Sequence, residues 1–245
     1  MRFHDVRVLT GGDYWILCDE IRVMDLSLFG GDPAAEVKGT VVQHVSSAGS
    51  LLFEWKALDH FGLADVDSLN FRGQAGPFNL MHGNALELDT DGNILISFRQ
   101  LNLLAKIDVS TGEPMWIFGG KRNQFTFAND SKGSFQKQHG LRVSGPDEIV
   151  FLDNSDTAPS RFMRMKLDLV ANTATTLMEF VDDPATHTPV GGNTEPYSNG
   201  HGIVSFGRAG RVVEVNELGA RAWELTGIDG VFVFRAHRIP SLYRR

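Results

Sequence analysis

Three histidines occupy the same position in successive repeats of this chain. His4, His82 and His139 each open a short strand of alternating apolar residues that runs into a turn rich in Gly and Asp. Core histidines have no reason to recur in register, whereas a ring of repeats that points one residue per repeat at a shared axis gives such a reason. We therefore predict that the three imidazoles converge at one mouth of a central channel.

Two further polar residues accompany His82. Asn84 follows two positions later, so on a regular strand its side chain faces the same side as that of His82. Arg99 ends the next strand, which returns it to the level of His82. Arg, Asn and imidazolium together suit an oxyanion, so these residues predict an anion cradle. The alternative is that Asn84 satisfies backbone groups and Arg99 pairs with a surface acid.

The segment Asp153-Asn154-Ser155 ends a strand at the position that corresponds to Arg99. It is suited to hold a channel histidine in one tautomer, as carboxylates often do, and a β-turn cap is an equally good interpretation. Gly140 directly follows His139 and permits close approach of another group to the backbone. The five remaining histidines are interpreted as structural, solvated or out of register: His44, His60, His187, His201 and His237.

Three converging histidines would also suit zinc, as a His₃ site with water in the fourth position. The neighbouring Arg99 counts against a metal, because a cation beside a cation is costly. The sequence has no Gly-rich phosphate loop, no Gly-x-Ser-x-Gly and no zinc-protease helix motif. We therefore predict a site without metal or cofactor and keep a three-histidine metal-dependent hydrolase as an alternative.

The elements that must position these residues are β-hairpins. Alternation with a period of two recurs to the end of the chain, and long helical periods are almost absent. Four hairpins turn at the related positions Gly49, Gly112, Asn172 and Gly219. Two hairpins per repeat give four strands, which is the blade of a β-propeller. We predict one all-β domain over residues 1–245 with about four blades, as an incomplete version of a larger ring.

Long connections between blades would form the rim of the channel. They carry aromatic residues that would line its entry: Phe61, Phe71, Phe78, Phe125, Phe127 and Tyr197. A propeller that binds a ligand or protein on this rim without catalysis is a further alternative function.

Charge and hydropathy exclude some classes of partner. The 245 residues carry a formal net charge of -7. This argues against nucleic acid and against a basic membrane-binding face. No apolar run approaches the roughly 20 residues that span a bilayer, so no membrane insertion is expected.

Several segments together resemble the arylsulfotransferase (aryl-sulfate sulfotransferase) family of six-bladed β-propellers. They are His82-Gly83-Asn84 followed by residues 91–99, then 111–120, Gln138-His139, 151–154 with Ser160-Arg161, and the opening residues 3–7. The family usually has an export signal and additional N-terminal sequence, and this chain shows neither. The resemblance therefore implies that N-terminal blades of the family are absent here. It suggests a secreted or periplasmic location.

The resemblance also implies an activity. A phenolic sulfate ester donates its sulfuryl group to an enzyme histidine, and a second phenol accepts it, without a nucleotide donor. Carried over by motif, His139 is the nucleophile that becomes sulfohistidine, and His4 completes the pocket. His82, Asn84 and Arg99 bind the sulfuryl oxygens, and we group Asn154 with the substrate-binding residues.

Overall fold

The computed structural model describes residues 4–66, 76–157, 159–226 and 230–239. Over these ranges the chain is all-β, as expected, and its helical elements are 3₁₀ turns of three residues. The strands form four sheets whose main strands run antiparallel. The chain divides into two compact units, Met1–Phe125 (unit 1) and Thr126–Arg245 (unit 2).

Unit 1 contains the first and second sheets. The first sheet has strand order β1-β2-β3-β4, with β5 paired to β3, and the second has order β6-β7-β8-β9. Their bounds are β1 (Val6–Val8), β2 (Tyr14–Met24), β3 (Ala35–Val45), β4 (Leu51–Lys56), β5 (Phe78–Asn79), β6 (Gly83–Leu88), β7 (Ile94–Phe98), β8 (Leu103–Ile107) and β9 (Pro114–Gly119).

Unit 2 contains the third and fourth sheets. The third has order β10-β14-β13-β12-β11 and the fourth has order β15-β16-β17-β18. Their bounds are β10 (Thr126–Ala128), β11 (His139–Gly145), β12 (Glu148–Asp153), β13 (Arg161–Asp168), β14 (Thr173–Phe180), β15 (Asn193–Pro196), β16 (Gly202–Phe206), β17 (Arg211–Val215) and β18 (Arg221–Leu225).

The four predicted outer hairpins are confirmed as β3–β4, β8–β9, β13–β14 and β17–β18. Their turns require a left-handed backbone, and φ is 85° at Gly49 and 50° at Asn172. Glycine adopts this conformation without cost, and asparagine is among the residues that tolerate it. The turn chemistry in the sequence therefore located these hairpins correctly.

Each unit has an apolar core between its two sheets. In unit 1 the indole of Trp55 is 3% exposed, and its Nε1–H donates to the Gly112 carbonyl at 2.8 Å, so the first sheet is tied to the outer turn of the second. In unit 2 Val204 and Val213 pack with Leu152 and Phe162. Burial of such side chains is worth roughly 1.5–3 kcal/mol each.

The prediction of an aromatic rim was wrong for two of its residues. Phe61 is 3% exposed and belongs to the core of unit 1, and Phe125 is 4% exposed and packs edge-on against Trp116 and Phe118. Both rings are buried by packing against the core, although they lie in loops. Phe71 lies outside the described residues.

Strands β2 and β3 are both 11 residues long and pair from Tyr14↔Val45 to Met24↔Ala35. They extend past β1, which pairs only with residues 14–16 of β2. The exposed edge of β3 is used by β5, whose two residues pair in parallel with Val37 and Lys38. This addition fixes the segment that leads into His82.

In each sheet one strand contacts the hairpin turn between the two strands that precede it in the chain, and we name this contact the turn clasp. The turns are those of β1–β2, β6–β7, β11–β12 and β15–β16, and the strands that contact them are β3, β8, β13 and β17. The four contacts are His44–Asp13 at 3.9 Å, Lys106–Asp89 at 2.6 Å with Lys106–Asp91 at 2.7 Å, Lys166 to the Pro146 carbonyl, and Glu214–His201 at 2.9 Å. In three sheets a β-bulge directly follows the clasp residue. The bulge increases the local twist of the strand at the clasp.

Candidate active site

His4 and His82 lie side by side in unit 1. Their ring centroids are 4.7 Å apart with an interplanar angle of 55°, and both residues are half-buried. The neighbour of His4, Asp5, is 3% exposed and its Oδ2 accepts from the Leu86 N–H at 3.1 Å. Arg7 Nε donates to the Leu86 carbonyl at 2.9 Å. These bonds fasten the opening segment to β6 and so hold the two rings together.

The backbone of His82 is in the left-handed region, with φ of 52°. Its carbonyl accepts from the Arg99 N–H at 3.1 Å. The next residue, Gly83, donates its N–H to Thr40 Oγ1 at 2.9 Å, and a Cβ on Gly83 would lie 2.4 Å from Thr40 Cγ2. The glycine is therefore required for the close packing that holds this conformation on β3.

The prediction that His82 and Asn84 face the same side by simple alternation does not hold. His82 precedes β6 with a positive φ, and the register of β6 shifts between Gly83 and Ala85. The alternation rule applies only within a regular strand. Asn84 is nonetheless 4% exposed, and it lies two residues from His82 at the same end of β6.

Arg99 returns to the level of His82, as predicted. Gly83 pairs with Phe98, and the Arg99 N–H reaches the His82 carbonyl. The Arg99 side chain is half-buried, and its Nη1 donates to Gln100 Oε1 at 3.2 Å. Unit 1 thus carries a first centre, defined as His4, His82, Asn84 and Arg99.

Asn79, the second residue of the run Phe78-Asn79-Leu80-Met81, is a partner of His82 that the sequence pattern did not predict. Its Nδ2 lies 2.8 Å from His82 Nδ1. The residue is on β5, so the parallel pairing with β3 positions it. A polar residue within Phe78-Asn79-Leu80-Met81 is the signal that would have found it.

His139 opens β11 in unit 2 and is 4% exposed. Gly140 follows with φ of 66°, and a Cβ there would lie 2.5 Å from the Thr194 nitrogen and 2.7 Å from Asn193 Cα. The predicted close approach is therefore confirmed, and the approaching group is the backbone of β15. Thr194 Oγ1 donates to the Gly140 carbonyl and secures this contact.

One nitrogen of the His139 ring faces two oxygen atoms. Nδ1 lies 2.7 Å from Asn154 Oδ1 and 2.9 Å from the Lys137 carbonyl oxygen. A carbonyl oxygen only accepts hydrogen bonds, so Nδ1 must carry a proton. In the neutral ring the lone pair then lies at Nε2.

Asn154 is held so firmly that its own orientation is determined. Its Nδ2 donates to the Thr188 carbonyl at 2.7 Å and to the Gly191 carbonyl at 2.9 Å, so Oδ1 must face His139. Ser160 Oγ donates to the Asn154 carbonyl at 2.8 Å. Asn154 is 0% exposed, and these bonds define the second centre as His139 and Asn154.

The expected tautomer lock is present, but it is an amide rather than a carboxylate. The carboxylate of Asp153 instead binds Arg161, with Oδ2 2.8 Å from Nη2. Arg161 is 0% exposed and also meets Asp130 at 2.8 Å. Burial lowers the pKa of Arg161, but the bonds to Asp130 and Asp153 outweigh it and raise that pKa above its usual value. This buried ion group anchors the end of β12 next to Asn154.

The other histidines have structural surroundings. His44 stacks on Trp15 with centroids 4.5 Å apart, and His60 stacks on Trp55 with centroids 5.0 Å apart. His201 lies between Glu214 and Glu217, at 2.9 Å from each. Within the described ranges no group of three or more His, Cys, Asp or Glu side chains is arranged to hold a metal ion.

Comparisons with known proteins give one family. The family described as Arylsulfotransferase (ASST) matches residues 1–228. A search of the curated proteins finds no match. Among the helical elements of the described residues, none is long and apolar enough to cross a membrane.

Two solved structures are similar to this chain at low identity. One is a protein of unknown function from Bacteroides caccae, with 11% identity, TM-score 0.48, 90% of this chain covered and 65% of that chain. The other is virginiamycin B lyase from Staphylococcus aureus, with 12% identity, TM-score 0.45, 89% of this chain covered and 53% of that chain. The chain thus spans between half and two thirds of the length of these proteins. Because the family match runs over nearly the whole sequence and includes both histidine centres, the chain belongs to the arylsulfotransferase family.

Proposed function

We propose that this protein transfers a sulfuryl group from a phenolic sulfate ester to a phenolic acceptor through a covalent sulfohistidine at His139. The observation that carries the proposal is the position of His139 Nδ1, 2.7 Å from Asn154 Oδ1 and 2.9 Å from the Lys137 carbonyl oxygen. Both oxygens accept hydrogen bonds, so this position requires a proton on Nδ1. A neutral imidazole with its lone pair at Nε2 is a competent nucleophile near pH 7. The family match supports the choice of sulfuryl transfer among the reactions open to such a nucleophile.

The reaction proceeds in two displacements. In the first, the Nε2 lone pair of His139 forms a bond to sulfur while the bond from sulfur to the aryl oxygen breaks, and the electron pair leaves with the phenolate. In the second, the oxygen of another phenol attacks sulfur, and the S–N bond breaks with return of its electron pair to Nε2. Splitting one hard displacement into two is the usual advantage of covalent catalysis.

Proton transfer accompanies both steps. A free phenol has a pKa of about 10, so the departing phenolate needs an acid and the attacking phenol needs a base. His4 and His82, with ring centroids 4.7 Å apart, are the candidates for this role. Each proton given to the first aryl oxygen is recovered from the second phenol, so the cycle is balanced.

His82, Asn84 and Arg99 are proposed to bind the sulfuryl oxygens. Sulfuryl transfer, like phosphoryl transfer, depends mainly on positioning and on stabilisation of charge. The bond from the Arg99 N–H to the His82 carbonyl and the burial of Asn84 support a preorganised group at this end of β6. Asn154, with three bonds to protein groups, is better suited to position His139 than to bind substrate.

This mechanism requires that the first and second centres serve one sulfuryl group, which is part of the proposal. We also propose that the four sheets are blades of one β-propeller domain. Support comes from the path of four antiparallel strands that every sheet contains. His4 and His82 lie just before β1 and β6, His139 opens β11, and all three strands lie at sheet edges. The family match extends across both units.

A transfer assay tests the function. The protein is incubated with p-nitrophenyl sulfate and a second phenol at varied concentrations of both. We expect parallel double-reciprocal lines, typical of ping-pong kinetics, and loss of transfer in His139→Ala. Activity that needs added zinc and releases free sulfate would favour a metal-dependent hydrolase. A well-folded protein with no transfer to any phenol would favour a binding function.

A further inference from the structure

The two centres differ in what faces Nδ1 of their histidines. In the second centre His139 Nδ1 faces oxygen atoms, those of Asn154 and Lys137. In the first centre His82 Nδ1 faces the amide nitrogen of Asn79 at 2.8 Å. Oxygen acceptors demand a proton on the ring nitrogen, and an amide N–H demands a lone pair there. The two asparagines therefore impose opposite requirements.

Two independent groups require a proton on His139 Nδ1. The Lys137 carbonyl cannot donate, and the amide of Asn154 cannot reverse without losing its bonds to the Thr188 and Gly191 carbonyls. A solvated neutral histidine side chain favours Nε2–H slightly, so this environment selects the less common tautomer. The result is a lone pair at Nε2, the nitrogen that must attack sulfur.

For His82 the consequence is the reverse. With Nδ1 accepting from Asn79, the proton of the neutral ring lies at Nε2. Protonation of Nδ1 would bring two N–H groups against each other, so this partner also disfavours the imidazolium. A neutral ring of this kind donates a hydrogen bond and does not release a proton, because its loss would leave an imidazolate.

We propose that Asn154 and Asn79 are positioning residues that fix opposite tautomers, so that His139 presents a lone pair at Nε2 and His82 presents a proton there. This rests on the proposed function for its catalytic meaning. It divides the roles of the histidines: His139 attacks, His82 donates a hydrogen bond to a sulfuryl oxygen, and His4 transfers the proton to and from the aryl oxygen. The tautomers themselves are properties of the resting protein.

Nitrogen-15 NMR of the histidine-labelled protein, without substrate, tests the tautomers directly. His82 and His139 signals are assigned by comparison with His82→Ala and His139→Ala. We expect protonated Nδ1 in His139 and protonated Nε2 in His82 above the pH at which each ring becomes neutral. Protonated Nε2 in neutral His139, or protonated Nδ1 in neutral His82, would overturn the proposal for that residue.

Substitutions at the asparagines test their part in this arrangement. Asn79→Asp replaces the amide donor by an acceptor, so His82 should gain a proton at Nδ1. Asn154→Asp keeps an oxygen towards His139 and adds charge, and it also removes the donor to the Thr188 and Gly191 carbonyls. The midpoint for protonation of His139 should rise by about one pH unit or more. Asn172→Asp makes the same chemical change at the exposed β13–β14 turn and should move neither ring. If the asparagine variants behave like this control, the asparagines do not position the rings.

These spectra separate the inference from the proposed function. Correct tautomers in a protein that transfers no sulfuryl group would leave the positioning intact and reject the chemistry. Transfer through His139 with the opposite tautomers would support the chemistry and reject the positioning role of the asparagines. A His4→Ala variant adds the kinetic test: it should slow transfer most for phenols with high pKa, which depend most on proton transfer.

Discussion

In the two centres, the chemical role of a residue depends more on the groups that it contacts than on its residue type. The sequence identified His4, His82 and His139 from their recurrence, and the structure shows His4 and His82 in contact. The repeat pattern did not identify Asn79, whose only mark in the sequence is that it is polar within an apolar run. Contacts between side chains are therefore hard to predict from the periodic pattern of the sequence.

Removal of the Arg99 guanidinium tests the anion-binding role. Arg99→Ala should lower kcat/KM for aryl sulfates about 10²–10³-fold, because charge that develops on the sulfuryl oxygens loses its donor. Arg99→Lys should recover only part of this, since lysine lacks the planar pair of donors. The measurement is steady-state transfer from p-nitrophenyl sulfate.

Arg122→Ala is the matched control for this experiment. Arg122 contacts the His60 carbonyl and the face of Phe61 in the same unit, outside the first centre. Equal losses in both arginine variants would mean that Arg99 supports the fold and has no specific part in binding the anion.

At the scale of elements, each turn clasp connects a strand to the hairpin turn between the two strands that precede it in the chain. The Lys106 clasp is the strongest on physical grounds, because Lys106 is 6% exposed and meets two carboxylates. Burial lowers the pKa of Lys106, but the bonds to Asp89 and Asp91 outweigh it and raise that pKa above its usual value. Burial raises the pKa of Asp91, but the bonds from Lys106 and Asn93 outweigh it and lower that pKa.

Lys106→Met should therefore lower the free energy of unfolding by roughly 1–3 kcal/mol near neutral pH. The lowered pKa of Asp91 gives stability that is present above about pH 4 and is lost as pH falls through the folded-state pKa. The raised pKa of Lys106 gives stability that is lost as pH rises through its folded value. Urea unfolding at several pH values should show the largest difference between variant and parent from about pH 4 to 10.

Lys56→Met serves as the control for this clasp. Lys56 pairs with Glu54 at 3.2 Å on a more exposed surface, where ion pairs contribute about 0–1 kcal/mol. If Lys106→Met were no less stable than Lys56→Met, the Lys106 clasp would not stabilise the fold. A stability difference that persisted unchanged in acid would show that the carboxylates do not contribute to it.

The contact between β11 and β15 depends on Gly140. Gly140→Ala should be strongly destabilising, by about 2–4 kcal/mol, because the new Cβ would meet backbone atoms of Thr194 and Asn193 in addition to the strain of a positive φ. Gly133 has a similar φ of 63° with no atom within 4 Å, so Gly133→Ala isolates the strain, about 1–2 kcal/mol. Equal unfolding free energies for the two variants would show that the close approach is unimportant.

Much of this element structure was predictable from the sequence. Gly49, Gly112, Asn172 and Gly219 marked turns because few residues adopt a left-handed backbone, and the structure has those turns. The bulge at Gly83–Ala85 was not predictable, because it depends on the fit of Gly83 against Thr40. The burial of Phe61 and Phe125 was missed for the same reason, since packing partners distant in sequence decide which loop residues become core.

On the scale of the whole molecule, each unit has two sheets, its own core and one histidine centre. The sequence predicted the repeated sheets because hairpin patterns are local. The mechanism adds the requirement that Arg99 of unit 1 and His139 of unit 2 act on one substrate group. This requirement involves residues of both units, and a thermodynamic experiment can test it.

A double-mutant cycle provides that test. Binding of benzylsulfonate, in which a methylene group replaces the bridging oxygen of an aryl sulfate, is measured for the parent, Arg99→Ala, His139→Ala and the double variant. The proposed mechanism, in which both residues act on the same group, predicts non-additive losses with a coupling of at least about 0.5 kcal/mol. Additive losses would place the two residues in separate sites.

Formation of sulfohistidine is tested most directly by the intact mass of the protein after brief incubation with p-nitrophenyl sulfate and no acceptor. We expect one added sulfuryl group per chain, located on His139 by peptide mapping, absent in His139→Ala and removed when a phenol is added. An unmodified chain that still transfers sulfuryl groups, or a label on another residue, would contradict this mechanism.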